Sequence, residues 1–160
     1  MLKNKTFLII VFVAAFGLLG YYREYFFGNY NNAMYFMYNG DTTVPVRPDF
    51  QMFLNLSYKA VYYLKYVFTI IFFAAFFTLS YFSVKVFTGN KKILKWFTYS
   101  YLLLLLLSAV LMLWTYFFRT NFESSEYSFS RWLMSIAESP LPALFFIATS
   151  KLNDELKIKN

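Results

Sequence analysis

Tyr66-Val-Phe-Thr-Ile-Ile-Phe-Phe-Ala-Ala-Phe-Phe-Thr-Leu-Ser-Tyr-Phe-Ser-Val84 decides the fold of this chain. The stretch carries no charge, and it approaches the roughly 20 apolar residues a helix needs to cross hydrocarbon. It lacks the alternation of a barrel strand and is too uniformly apolar to be one. Three further runs have the same character: Thr6 to Tyr22, Trp96 to Phe118, and Trp132 to Ser150 with Glu138 inside it. Together they predict an all-α integral membrane four-helix bundle, with helices over about 6–22, 60–87, 94–118 and 130–150. On this reading 1–160 is a single membrane domain.

Composition points the same way. Apolar residues make up 59% of the 160 and charged residues 14%, against roughly 45–50% and about 25% in soluble domains. A quarter of the chain is aromatic, with 22 Phe and 15 Tyr, and so small a protein has too little interior to hide them from water. Lipid is the alternative solvent. Cys and His are both absent from the sequence, which excludes disulfides, thiol nucleophiles, imidazole bases and zinc-finger sites. No cofactor and no metal is expected.

The breaks between the runs are chemically consistent with helix ends. Thr88-Gly89-Asn90-Lys91-Lys92 supplies a glycine and cations just past a helix C-terminus. Arg119 to Arg131 is polar, with Asn121, Glu123, Glu126 and several serines, and 151–160 is a charged tail. The connection 23–59 is the long one, punctuated by Gly28, Gly40, Pro45 and Pro48. Within it, Ala33 to Tyr38 reads as an interfacial helix or short strand that buries its rings in the membrane surface, having no core of its own. Asn55-Leu56-Ser57 also fits a glycosylation sequon.

Lysine and arginine set the orientation. Lys3, Lys5, Lys85, Lys91, Lys92, Lys95, Lys151, Lys157 and Lys159 share one side with only Asp154 and Glu155, so the formal charge of +7 falls there. That side is assigned to the cytoplasm, together with both termini, and the opposite side is neutral. Lys3 and Lys5 ahead of an apolar run also resemble a signal peptide, with Ala15-Phe16-Gly17 as a cleavage window. The run continues through Leu18, Leu19, Tyr21 and Tyr22, which favours a retained anchor.

Within the helices, Ala14, Ala15, Gly17 and Gly20 form a strip of small residues suited to close helix approach. Phe68, Phe72 and Phe76 recur at four-residue spacing along one face. Pro140 removes an amide and pushes against the Ile136 carbonyl, so Pro140 and Pro142 predict a kink, with Ser135 or Ser139 available to satisfy exposed carbonyls.

Polar chemistry concentrates at the outer boundary. All the arginines fall there, and Arg is the side chain suited to bidentate binding of carboxylate or phosphate. Arg23 adjoins Glu24, and Arg131 precedes Glu138 by two helical turns. Glu138 lies inside the boundary, where an ionisable group marks a functional site unless it serves as a structural ion pair with Arg23 or Arg131. Arg23, Glu24, Arg131 and Glu138 are therefore the candidate ligand- or partner-binding residues. Glycine is too sparse for a phosphate-cradling loop, and the basic residues follow topology rather than forming a nucleic-acid stripe, so no nucleic acid is expected.

Arg23-Glu24 closing the first run, the aromatic connection, Asn90-Lys91-Lys92-Ile93-Leu94-Lys95, and Arg131-Trp132-Leu133-Met134 leading to Ser139-Pro140-Leu141-Pro142 resemble small four-helix inner-membrane proteins of Gram-negative bacteria. Some of these are associated with exosortase-type protein-sorting systems. The sorting enzymes use Cys, Arg and His, so the resemblance implies an accessory component without enzymatic activity, in the inner (cytoplasmic) membrane. The expected function is a multi-pass accessory subunit in contact with membrane lipid and docked to a larger integral membrane protein in envelope protein sorting or export. The alternative is a lipid-headgroup or small-ligand binder or carrier that uses the outer arginines and Glu138. A membrane enzyme with Glu138 as general acid or base is a third reading.

Overall fold

The computed structural model describes residues 2–40, 45–118 and 132–158, and these are mostly helical with no strand among them. The elements are α1 (Leu2–Asn39), a 3-10 turn (Pro48–Asn55), α2 (Tyr58–Thr88), α3 (Lys91–Phe118), a short helix α4 over 132–137, and α5 (Leu141–Ile158). Among the described residues three helices, α1, α2 and α3, are long and apolar enough to cross a membrane. At the α-helical rise, the 38 residues of α1 extend roughly 57 Å and the 31 of α2 roughly 46 Å, both more than the ~30 Å of bilayer hydrocarbon.

Local chemistry explains the helix ends. Gly40 and Gly89 both take left-handed backbone (φ +63° and +60°) just past α1 and α2, and their amides bond back to Phe36 O at 2.8 Å and Lys85 O at 3.1 Å. A Cβ would strain that conformation, which is why glycine closes these helices. Asn90 Oδ1 accepts from the Lys92 amide at 2.9 Å and caps α3. Ser57, the last residue of the sequon, caps α2 by accepting from the Ala60 amide.

By internal contacts the chain divides into two compact units, residues 1–16 with 75–160, and residues 17–74. In the first unit, aromatic pairs join successive helices. Phe12 meets Phe87 at 5.7 Å and Phe16 meets Phe76 at 6.4 Å between α1 and α2. Phe77 of α2 meets Tyr101 of α3 at 5.1 Å, and Phe97 of α3 meets Phe146 of α5 at 5.6 Å. Phe97 and Tyr101 are fully buried.

The second unit closes around its own core of Tyr30, Met34, Phe50, Phe53 and Val61, flanked by Phe26 and Phe68. Phe26 packs on Phe68 at 4.7 Å, and Tyr30 meets the edge of Phe53 at 4.9 Å. The Tyr30 hydroxyl donates to Val61 O at 2.6 Å, which satisfies the one polar atom of a fully buried ring.

The structure corrects the sequence in three places. Arg23 and Glu24 do not close the first helix, and the connection does not begin at residue 23: α1 runs on to Asn39, because Phe26, Tyr30, Met34 and Met37 recur on one face and pack into the core above. Of Ala33 to Tyr38, Ala33 and Met34 are buried and Met37 packs against that core, while Tyr35 and Tyr38 remain exposed. The small-residue strip is not a close approach within this chain, since a Cβ at Gly17 or Gly20 would meet nothing within 4 Å. It is rings that face α2: Phe68 and Phe72 meet Phe26, and Phe76 meets Phe16. Finally, Trp132 to Ser150 is not one kinked helix. It is interrupted at 138–140 between α4 and α5.

Candidate functional site

The interruption is built from identifiable hydrogen bonds. Proline at 140 has no amide for Ile136 O, and the Ser139 hydroxyl donates to that carbonyl at 2.6 Å instead. The same oxygen accepts from the Leu141 amide at 3.2 Å, which starts α5, and Leu144 N bonds Pro140 O at 3.0 Å. Pro142 sits at the second position of α5, where a missing amide costs nothing. With the Leu141 amide engaged by Ser139, Ala137 O loses its intrahelical donor. The Tyr101 hydroxyl of α3 reaches across and donates to it.

Glu138 follows directly. It is 6% exposed, and its amide bonds Met134 O at 2.9 Å. Its carboxylate acts electrostatically on Tyr101, and the Ser80 hydroxyl of α2 lies within loose hydrogen-bonding reach of the same Tyr101 hydroxyl. Ser80 is fully buried, and its oxygen completes no well-aligned hydrogen bond. Three elements thus converge on one buried polar cluster within the first unit: Ser80 from α2, Tyr101 from α3, and Ala137 with Glu138 at the break. An acid held there costs several kcal/mol unless its charge is compensated, neutralised or wetted.

The other expected site residues lie elsewhere. Arg23 and Glu24, in the second unit, form an ion pair with each other, and the Arg23 guanidinium lies 6.0 Å from the centre of the Phe27 ring. Arg47 stacks on Tyr25 at 5.2 Å and donates to its hydroxyl at 3.1 Å. Arg131 lies outside the described residues, as do Arg119, Glu123 and Glu126. The described residues hold no group of three or more His, Cys, Asp or Glu able to bind a metal.

Sequence reasoning missed Tyr101 as a site residue and gave Ser80 no part in the site. A signal was present: Tyr101 precedes the run Leu102 to Leu107, and a tyrosine buried in so apolar a helix needs a partner for its hydroxyl.

Compared with family models, with curated proteins and with solved structures, the chain matches none. Fold and composition therefore define its class: a helical membrane protein with three helices long and apolar enough to span.

Proposed function

We propose that this chain is a non-enzymatic, multi-pass subunit of a bacterial inner membrane, docked through its helices to a larger integral membrane protein, in keeping with a role in envelope protein sorting or export. In this reading α1, α2 and α3 each cross the bilayer, the α4–α5 pair makes a fourth crossing, and both termini and the Gly89–Asn90 turn face the cytosol. The exposed lysines 85, 91, 92, 95 and 151 support that orientation, since cations are retained on the cytoplasmic side.

One observation carries the docking role. Gly17, Glu24 and Gly28 are seven and four residues apart, so they share one face of α1, and all three are exposed. Nothing lies within 4 Å of a Cβ at either glycine. That face has room for the backbone of another helix at close range, the geometry by which membrane helices associate. The headgroup-binding alternative is less favoured, because Arg23 and Arg47 already engage Glu24 and Tyr25.

The test uses the open space. Gly17→Leu and Gly28→Leu fill a gap without touching the rest of the chain, so the isolated protein keeps its thermal stability while co-purification of the partner from native membranes falls. Glu138→Gln separates the alternative: a headgroup binder loses retained lipid, whereas a docked subunit does not. Unchanged co-purification in both leucine variants would remove the docking face.

A further inference from the structure

Ring contacts within residues 17–74 fix the levels of α1 against α2. Tyr38 meets Tyr58 at 5.6 Å, Phe26 meets Phe68 at 4.7 Å and Phe27 meets Phe72 at 5.5 Å, so the two helices run antiparallel. Phe72 lies seven residues past Lys65, roughly 10 Å into the uncharged run of α2. Glu24, three residues beyond Phe27, lies deeper still, roughly 15 Å from the level of Lys65 and about halfway through ~30 Å of hydrocarbon. At these levels α2 exposes Ile70 and Ile71, side chains suited to lipid. The exposed face of α1 is different. Gly17, Tyr21, Glu24, Gly28, Asn31 and Tyr35 follow one another at alternate spacings of four and three, all are exposed, and none is aliphatic. Glu24 is ion-paired with Arg23, yet successive helical residues point in different directions, and the Glu24 side chain stays 76% exposed. An acid at such depth, turned outward from its own chain, calls for a polar neighbour. A seam repeating every 3.5 residues is the spacing of left-handed helix pairs, whose axes cross at about 20°.

We propose that this seam receives one membrane-spanning helix of a different chain, which carries a basic side chain at the level of Glu24. From Gly17 to Tyr35 the seam rises roughly 27 Å, close to the thickness of the hydrocarbon. Gly17 and Gly28 admit the incoming backbone, Tyr21 and Tyr35 supply wide contact, and Glu24 sets the register by charge. A second copy of this chain, inserted in the same direction, would set Glu24 against Glu24, two like charges in a low dielectric. The proposal rests on the docking reading above and names the chemistry of the partner.

The experiment places the photocrosslinker benzoylphenylalanine at single positions of the full-length protein in native membranes and maps each adduct by mass spectrometry. Tyr21, Asn31 and Tyr35 sample the seam, while Tyr22 and Asn32 beside it and Ile70 on α2 sample the surroundings. The seam positions should attach to a single apolar stretch of one other chain, with the Tyr21 and Tyr35 attachments about fourteen residues apart and an Arg or Lys between them. Tyr22, Asn32 and Ile70 should give little adduct. Glu24→Lys should lower the Tyr35 adduct by about tenfold, and Glu24→Gln by less. Adducts to a second copy of this chain, an attached stretch without Arg or Lys, a Tyr35 yield unchanged in Glu24→Lys, or no adduct along the seam would each overturn the proposal. Co-purification that survives both Gly17→Leu and Gly28→Leu removes the docking reading and this proposal with it. Co-purification lost in those variants, with adducts scattered equally over Tyr22, Asn32 and Ile70, keeps docking and overturns the seam.

Discussion

The two compact units use the same aromatic-rich composition to opposite ends. Residues 17–74 close around rings, and the buried polar atom there, the Tyr30 hydroxyl, is satisfied by a carbonyl that already belongs to a regular helix. The unit of 1–16 and 75–160 buries Ser80, Ser83, Ser108, Ser150 and Glu138 among its helices and interrupts one of them at 138–140. One unit is a packing solution. The other buries polar groups among its helices, where each costs stability unless it is hydrogen-bonded.

That contrast can be broken by experiment, starting with the ring core. Truncating Phe53 to alanine removes a buried ring between Tyr30 and Phe68, and should cost about 3–5 kcal/mol in thermal or denaturant unfolding. A loss under about 1 kcal/mol would mean the 17–74 core is not a core.

Next comes one substitution made in both units. Tyr101→Phe strips Ala137 O of its donor, and that carbonyl has no intrahelical bond to fall back on, so the cost should be about 2 kcal/mol. Tyr30→Phe leaves Val61 O inside the ladder of α2, and the cost should stay near 1 kcal/mol. Equal losses would erase the distinction between the units.

Ser139→Ala should cost about 1 kcal/mol by leaving Ile136 O and the Leu141 amide without their shared partner. It should also raise hydrogen exchange at Leu141 before any global change. The smallest effect falls on the exposed stack: Arg47→Lys keeps the charge but loses the planar contact with Tyr25, an expected loss of about 0.5–1 kcal/mol.

The long apolar helices were legible because lipid as a solvent demands uninterrupted apolar runs, and Tyr66 to Val84 satisfies that by composition alone. The 23–39 part of α1 was legible only in its spacing. Phe26, Tyr30, Met34 and Met37 follow helical periodicity, but Gly28, Asn29, Asn31 and Asn32 between them read as a loop. What holds that stretch helical is tertiary, the packing of its rings on Phe50, Phe53 and Phe68. At the candidate site, Glu138 stood out because charge is rare in such a run, and Pro140 marked the neighbouring backbone fault. Tyr101 and Ser80 did not, because a tyrosine or serine in an apolar helix usually serves packing, and only spatial convergence gives these two a role.

The proposed topology is a helical chain in lipid with its lysine-rich ends in the cytosol. Since the sequence has no cysteine, single substitutions Asn90→Cys and Asn55→Cys give clean probes. An impermeant thiol reagent added to intact spheroplasts should modify position 55 at once and position 90 only after permeabilisation. Position 90 reacting from outside while position 55 stays protected would contradict that topology.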